Sequence, residues 1–237
     1  KLFPMQYLMW ISFLILPVLA NPITEKNKLD EILEKHAEAM GGKEKWEAVE
    51  TMFISMDTGD GGVMDAYTKK PDKFKLIMRY AGYEWVKSWN GKTGWILYNG
   101  EEKEMTVGEA REMAEEPDFF DELIFAKDRG YEVNLLTREK LEGVPVYKLQ
   151  VVKAEDDIVT YYVNANTYLI VRIDEQSHDP KWVNSSFSTL LQDYKEWQGM
   201  KFPGKWGIII DDAKPRWMKV FDIVINEPMK DSVFEKK

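Results

Sequence analysis

Polar and apolar residues alternate along this chain with two different periods, and the change of period divides it. Leu29, Ile32, Leu33, Ala37 and Met40, with His36 among them, recur at offsets of three and four. That spacing puts them on one side of a helix over 27–40, with Asp30, Glu31, Glu34, Lys35 and Glu38 on the other. Asn27 suits the helix start and Gly41-Gly42 its end. A second short helical piece over 43–50 carries Trp46 and Val49.

From residue 52 the period becomes two. Segments 52–58, 63–68, 73–80, 83–89 and 94–98 read as strands, divided by the turn-forming residues 59–62, 70–72, 81–82 and 90–91. Connections that short join antiparallel neighbours, because a parallel crossover needs about a dozen residues. The pattern breaks over 101–127. There 107–115 favours helix, and Pro117 can open a second helix whose apolar face holds Phe119, Phe120, Leu123, Ile124 and Phe125. Strands resume at 131–137, 146–153, 159–164, 168–175, 184–197, 202–211 and 217–225. The expectation is a mainly β chain: one antiparallel sheet of about 10–12 strands, an N-terminal helix and a helical insertion. A sheet that large must curl or close, and the two apolar helix faces are available to cover its concave side.

Residues 1–20 stand apart. Lys1 precedes an almost uncharged run, and the apolar stretch 8–19 has the length of a signal-peptide core, short for a membrane span. Pro17 interrupts it, and Val18 and Ala20 supply the small residues of a cleavage site. The expected organisation is a signal peptide at 1–20, cleaved near Ala20, and a single domain at 21–237. The chain has no Cys, which excludes disulfides, thiolate metal sites, cysteine nucleophiles and lipidation through sulfur. Its formal charge of −9 argues against nucleic acid and anionic membrane surfaces as partners.

No HExxH, GxSxG, P-loop or GxGxxG motif occurs. Two histidines, His36 and His178, lie far apart; the first reads as a core histidine and the second as part of a polar turn. Acidic pairs such as Glu115-Glu116 and Asp156-Asp157 read as solvated, and the Asp57 to Gly62 segment as a turn rather than a calcium loop. No metal, cofactor or catalytic residue is expected. The apolar inventory is the unusual feature: nine Trp, eleven Phe, eleven Tyr and twelve Met in 237 residues. Such residues build either a filled core or the walls of a cavity, and the residues alone leave the two open.

The segment Lys69-Lys70-Pro71-Asp72-Lys73-Phe74-Lys75-Leu76, followed by Trp89-Asn90-Gly91-Lys92-Thr93-Gly94-Trp95-Ile96-Leu97-Tyr98-Asn99, resembles the LolA family of periplasmic lipoprotein carriers. Glu142 to Leu149, Tyr161-Tyr162-Val163, Thr167 to Arg172 and Asn226 to Phe234 are similar to the outer membrane lipoprotein-sorting branch. The resemblance runs with gaps from about residue 27 to the C-terminus. It implies an incomplete antiparallel β-barrel whose helices cover a hydrophobic cavity. It also implies a monomeric periplasmic protein, not an enzyme, that carries acyl chains of lipoproteins or other apolar cargo toward the outer membrane. The partners implied are an inner-membrane ABC transporter and an outer-membrane acceptor. The same fold also serves sensing modules that contact a partner protein, and a glycan-acting enzyme is the remaining alternative. On this reading Phe74, Leu76, Met78, Trp95 and Ile96 form the cavity wall, and Leu29, Ile32, Leu33, Phe119, Phe120, Leu123 and Ile124 the lid. Asn90 replaces the family's turn Asp, and Arg79 is the candidate latch for the lid.

Overall fold

A computed structural model describes residues 22–98, 100–106, 109, 122–154, 157–176, 185–211 and 213–236. The expected signal peptide, all of the segment 107–115 except residue 109, His178, and the lid residues Phe119 and Phe120 lie outside the described residues. Helices α1 (Pro22–Ala39) and α2 (Lys43–Glu47) precede six strands: β1 (Thr51–Asp57), β2 (Val63–Lys69), β3 (Lys73–Tyr80), β4 (Tyr83–Trp89), β5 (Gly94–Tyr98) and β6 (Glu101–Glu104). The short helix α3 (Glu122–Phe125) leads to β7 (Glu132–Leu141), β8 (Val144–Ala154), β9 (Asp157–Asn164), β10 (Ile170–Gln176) and β11 (Ser186–Gln192). Then follow β12 (Lys195–Trp197), β13 (Met200–Phe202), β14 (Lys205–Ile210), β15 (Arg216–Ile225) and a 3-10 turn (Asp231–Val233).

Thirteen strands form one antiparallel sheet in the order β6-β5-β4-β3-β2-β1-β15-β14-β11-β10-β9-β8-β7. The chain meanders outward from β1 to one edge, re-enters at the opposite edge with β7, and meanders back until β15 pairs with β1. The edge strands β6 and β7 do not pair, so the sheet is not closed.

Two of the strands read from sequence divide. Asp193, at φ 53°, breaks the segment 184–197, and Gln198-Gly199, both at positive φ, form the tight turn of a separate β12-β13 hairpin. β6 is an added strand, all charged, that the alternation did not disclose. An edge strand of that composition exposes charge where further pairing would otherwise occur.

Register fixes which side chains share a face. Met56, Met64 and Met78 are directly opposed across β1, β2 and β3, as are Ile54, Ala66 and Leu76, and Met52, Thr68 and Phe74. Across β15, β14, β11, β10 and β9 the same face carries Val220, Met218, Trp206, Leu191, Thr189, Ile173 and Tyr161. β3 and β10 are six strand steps apart, about 29 Å in a flat sheet at ~4.8 Å per step. Yet Phe74 and Ile173 line one void. The sheet is therefore curled, and this face is its inside.

The inside is filled by two clusters. Leu29 and Ile32 of α1 pack with Leu123, Ala126, Val133, Tyr147, Leu149, Val151 and Val163 on the β7–β9 half. Met40, and Trp46 of α2, pack with Met52, Ile54, Met56, Met200, Phe202 and Val220 on the β1–β15 half. Buried Leu29, Ile32, His36 and Met40 keep the spacing of three and four that marks one helical face. The His36 Nδ1–H donates to the Tyr168 carbonyl at 2.7 Å, so the buried imidazole ties the end of α1 to the β9–β10 turn. Gly41, at φ 108°, then turns the chain where a Cβ would lie 2.4 Å from the Gly199 carbonyl oxygen. No other residue fits between α1 and the β12-β13 hairpin at that point.

Part of the outer face, over β3–β5, is covered as well. Phe234 is fully buried, and its carbonyl accepts from Ser88 Oγ at 2.9 Å and Trp95 Nε1 at 3.1 Å. Lys75 Nζ donates to the Val233 carbonyl at 2.8 Å, and Lys69 and Lys73 both reach Asp231 at 2.6 Å. The C-terminal segment is thus strapped across the outside of the sheet.

Candidate functional site

Between the two clusters lies a cavity of about 480 Å³, in the usual range for small-molecule sites. Met64, Ala66, Thr68, Phe74 and Leu76 form one wall from β2 and β3. Ile170, Ile173, Thr189, Leu191 and Trp206 face them from β10, β11 and β14, and Met40, Trp46, Tyr194, Phe202 and Pro203 close the end. Tyr194 and Trp206 touch both clusters, which places the void at their seam.

The aromatic part of this wall presents carbon because its polar atoms are satisfied from behind. Trp46 Nε1 donates to the Met40 carbonyl at 3.1 Å, Trp206 Nε1 to that of Pro203 at 3.2 Å, and the Tyr194 hydroxyl to that of Ile170 at 2.9 Å. Each bulky ring is held by its one hydrogen-bonding atom and presents carbon to the void. Trp46 packs on Phe202 with ring centroids 4.9 Å apart, and Trp197 meets the same ring edge-on at 6.0 Å. The wall strands themselves are incompletely covered: Phe74, Leu76, Ile173 and Thr189 are all only half-buried.

One side of the cavity is different. Glu122, Arg129, Lys153, Tyr161 and Glu175 complete its lining. The Tyr161 hydroxyl donates to Glu122 Oε2 at 2.8 Å, Lys153 Nζ lies 2.8 Å from Glu122 Oε1, and Arg129 Nη1 lies 3.9 Å from the same oxygen. Burial is the largest influence on the Lys153 ammonium and pulls its pKa down, but the hydrogen bond to Glu122 and the attraction of Glu122, Asp157 and Tyr131 together outweigh it and leave the pKa raised. Burial lowers the Arg129 pKa, although a guanidinium starting that high stays protonated. Among the described residues, no group of three or more His, Asp or Glu side chains is arranged to hold a metal ion.

A smaller void of about 250 Å³ is lined by Met78, Ile208, Ile210, Ala213, Lys214, Arg216 and Met218. Met64, in the wall of the larger void, is registered opposite Met78, in the wall of the smaller. The two lie along one face.

The residues read from sequence as wall and lid scatter over this geometry. Phe74 and Leu76 line the larger void and Met78 the smaller. Ile96 is on the same inner face, two strands outward on β5. Trp95, its neighbour, is on the opposite face: alternation forces it outward, and there it meets Phe234 while Lys75 sits 5.1 Å over its ring. Leu29, Ile32 and Leu33 belong to the cluster on β7–β9, as does Leu123, whereas Ile124 packs against the β1–β15 cluster. Arg79 also faces outward, bonded to Asp65 at 2.6 Å and Glu84 at 3.1 Å. The α3 tether is instead Glu122, held by Lys153 and Tyr161. Sequence reasoning passed over Trp46, Tyr161, Phe202 and Trp206 as wall residues. Their sequence signal is weak, since aromatics on alternating positions serve equally as core.

No family model matches this chain, and no curated protein does. Solved structures do match it. A LolA superfamily protein from Nitrosomonas europaea shares 14% identity over 88% of this chain and 97% of its own, with a TM-score of 0.51. An outer membrane lipoprotein-sorting protein domain from Vibrio parahaemolyticus shares 13% identity over 87% of this chain and 97% of its own, with a TM-score of 0.54. A DUF1329 family protein from Desulfovibrio piger ATCC 29098 shares 12% over the same proportions, with a TM-score of 0.51. An open, curled antiparallel sheet carrying an N-terminal helix on its inner face defines the class, and its fold is LolA-like.

Proposed function

We propose that this protein is an exported carrier that shelters the apolar part of a lipid or lipoprotein in the cavity between β2–β3 and β10–β14, by binding and without catalysis. The observation that carries this is the cavity itself, about 480 Å³, apolar over most of its wall, where the Trp46, Tyr194 and Trp206 polar atoms are bonded away from it, and charged on one side only. An acyl chain entering it leaves water at about 0.8 kcal/mol per buried methylene. The LolA-like fold supports the reading, as does the likeness to an outer membrane lipoprotein-sorting protein domain. Among the described residues no helix is long and apolar enough to cross a membrane. The apolar run 8–19 and the residues after it suit a cleaved signal peptide, a single domain at 21–237 and a periplasmic address. Transfer from an inner-membrane transporter to an outer-membrane acceptor would give the carrier its direction.

A second reading, a binding module that contacts a partner protein, is favoured by Tyr80, Tyr83 and Tyr98. They stand 54%, 66% and 61% exposed on neighbouring strands of the inner face. Mass spectrometry of organic extracts from protein purified without detergent separates the two. A stoichiometric lipid supports the carrier. An extract free of lipid, with no uptake of added lipid, favours the module.

A further inference from the structure

The charged side of the cavity has a composition that says what kind of head group it accepts. Glu122 and Glu175 stand against Arg129 and Lys153 around the same void, so the lining carries two charges of each sign. Glu122 and Lys153 are bonded to each other at 2.8 Å, and their side chains are only 20% and 25% exposed. Tyr161, 4% exposed, fixes the second Glu122 oxygen. Asp157 also attracts Lys153 but is not among the lining residues. An ion placed here meets its attractor already engaged and an opposing charge beside it. A head group that both donates and accepts hydrogen bonds, and carries no net charge, meets a partner whichever way it turns.

Volume limits the rest of the ligand. At ~30 Å³ for a water-sized or methylene-sized unit, the void holds about sixteen such units. That is room on the scale of one long acyl chain.

Resting on the carrier reading above, we propose that the cavity selects single-chain amphiphiles with a net-neutral head, such as a monoacylglycerol or a zwitterionic lysophospholipid, and that Glu122, Lys153 and Tyr161 read the head. The chain lies between Phe74–Leu76 and Ile173–Leu191, with the head against Glu122 and Lys153.

Displacement of the neutral dye Nile red from the full chain tests this. Monopalmitoylglycerol and palmitoyl-lysophosphatidylcholine are expected to displace the dye about tenfold more tightly than palmitate or hexadecylamine. Glu122→Gln leaves the wall net positive and shifts preference toward palmitate; Lys153→Gln leaves it net negative and shifts preference toward hexadecylamine. A reversal in opposite directions is not produced by loss of folding. Equal affinity for all four ligands, unmoved in both variants, overturns head-group selection while leaving the carrier intact. Dipalmitoylglycerol matching its monoacyl counterpart overturns the single-chain limit. Failure of the wild-type chain to bind Nile red at all overturns the carrier reading itself.

Discussion

The two halves of the inner face are built from the same alternation and end in different states. On β8 and β9, Leu149, Val151 and Val163 are at most 0% exposed, because Leu29 and Ile32 of α1 insert among them together with Leu123 and Ala126. On β2 and β3, Phe74 and Leu76 point to the same side, but they stay half-buried and line a void with Ile173 and Leu191 across the curl. Trp46 and Phe202 stop short, each pinned by its own packing or hydrogen bond, and a void remains. What decides between core and cavity is the covering element, not the strand.

That difference should separate matched substitutions. Leu149→Ala removes a side chain from the filled half and is expected to destabilise by about 2–4 kcal/mol. Leu76→Ala enlarges a void that already exists and should cost under about 1.5 kcal/mol while weakening ligand uptake. Urea unfolding of both variants, read beside wild type, checks the contrast. If the two losses are equal, the halves are packed alike.

Additions should sharpen the same contrast with smaller effects. Val163→Leu overpacks the filled half, at about 1–3 kcal/mol, whereas Thr189→Leu extends into the void and should change stability by less than about 0.5 kcal/mol. Thermal unfolding monitored by circular dichroism distinguishes them, and an equal loss would remove the void from the account.

The smallest effect concerns the outer face, where the C-terminal strap covers β3–β5. Lys69 first, then Lys73, hold the Asp231 carboxyl down from its ordinary 3.8 to about 2. A carboxylate with a depressed pKa contributes stability that is complete above its unfolded value and is lost as pH falls through the folded one. The strap should therefore loosen between about pH 4 and pH 2, whereas Asp231→Asn, with no carboxyl to titrate, should be loosened at every pH and show no change through that window, with the inner face unaffected. The ¹⁹F resonance of Trp95 in protein labelled with 5-fluorotryptophan reports it, because its indole donates to Phe234 in the strap. A signal flat through that window would detach Asp231 from the strap's hold.

The strap also explains where reading the sequence stopped. Alternation correctly put Phe74, Leu76 and Met78 on one face, and the spacing of Leu29, Ile32, His36 and Met40 correctly made one helical side. Trp95 and Ile96 were both apolar, so alternation could say that one faced outward but not that a distant Phe234 would bury it. Glu122 and Lys153 were indistinguishable from solvated charges, since their pairing needs α3 brought over the curled β8. The void itself depends on β3 meeting β10 across the curl, a relation no local pattern carries. The strands were legible because their period is local; the site was not, because every part of it is long-range.

The most direct test of the central claim is to fill the void and measure uptake. Thr189→Trp projects an indole from β11 toward Phe74 and Leu76. This variant is expected to unfold at the wild-type temperature within a few degrees, yet to lose Nile red binding by at least about tenfold. Undiminished binding by a folded Thr189→Trp protein would contradict the assignment of this cavity as the ligand site.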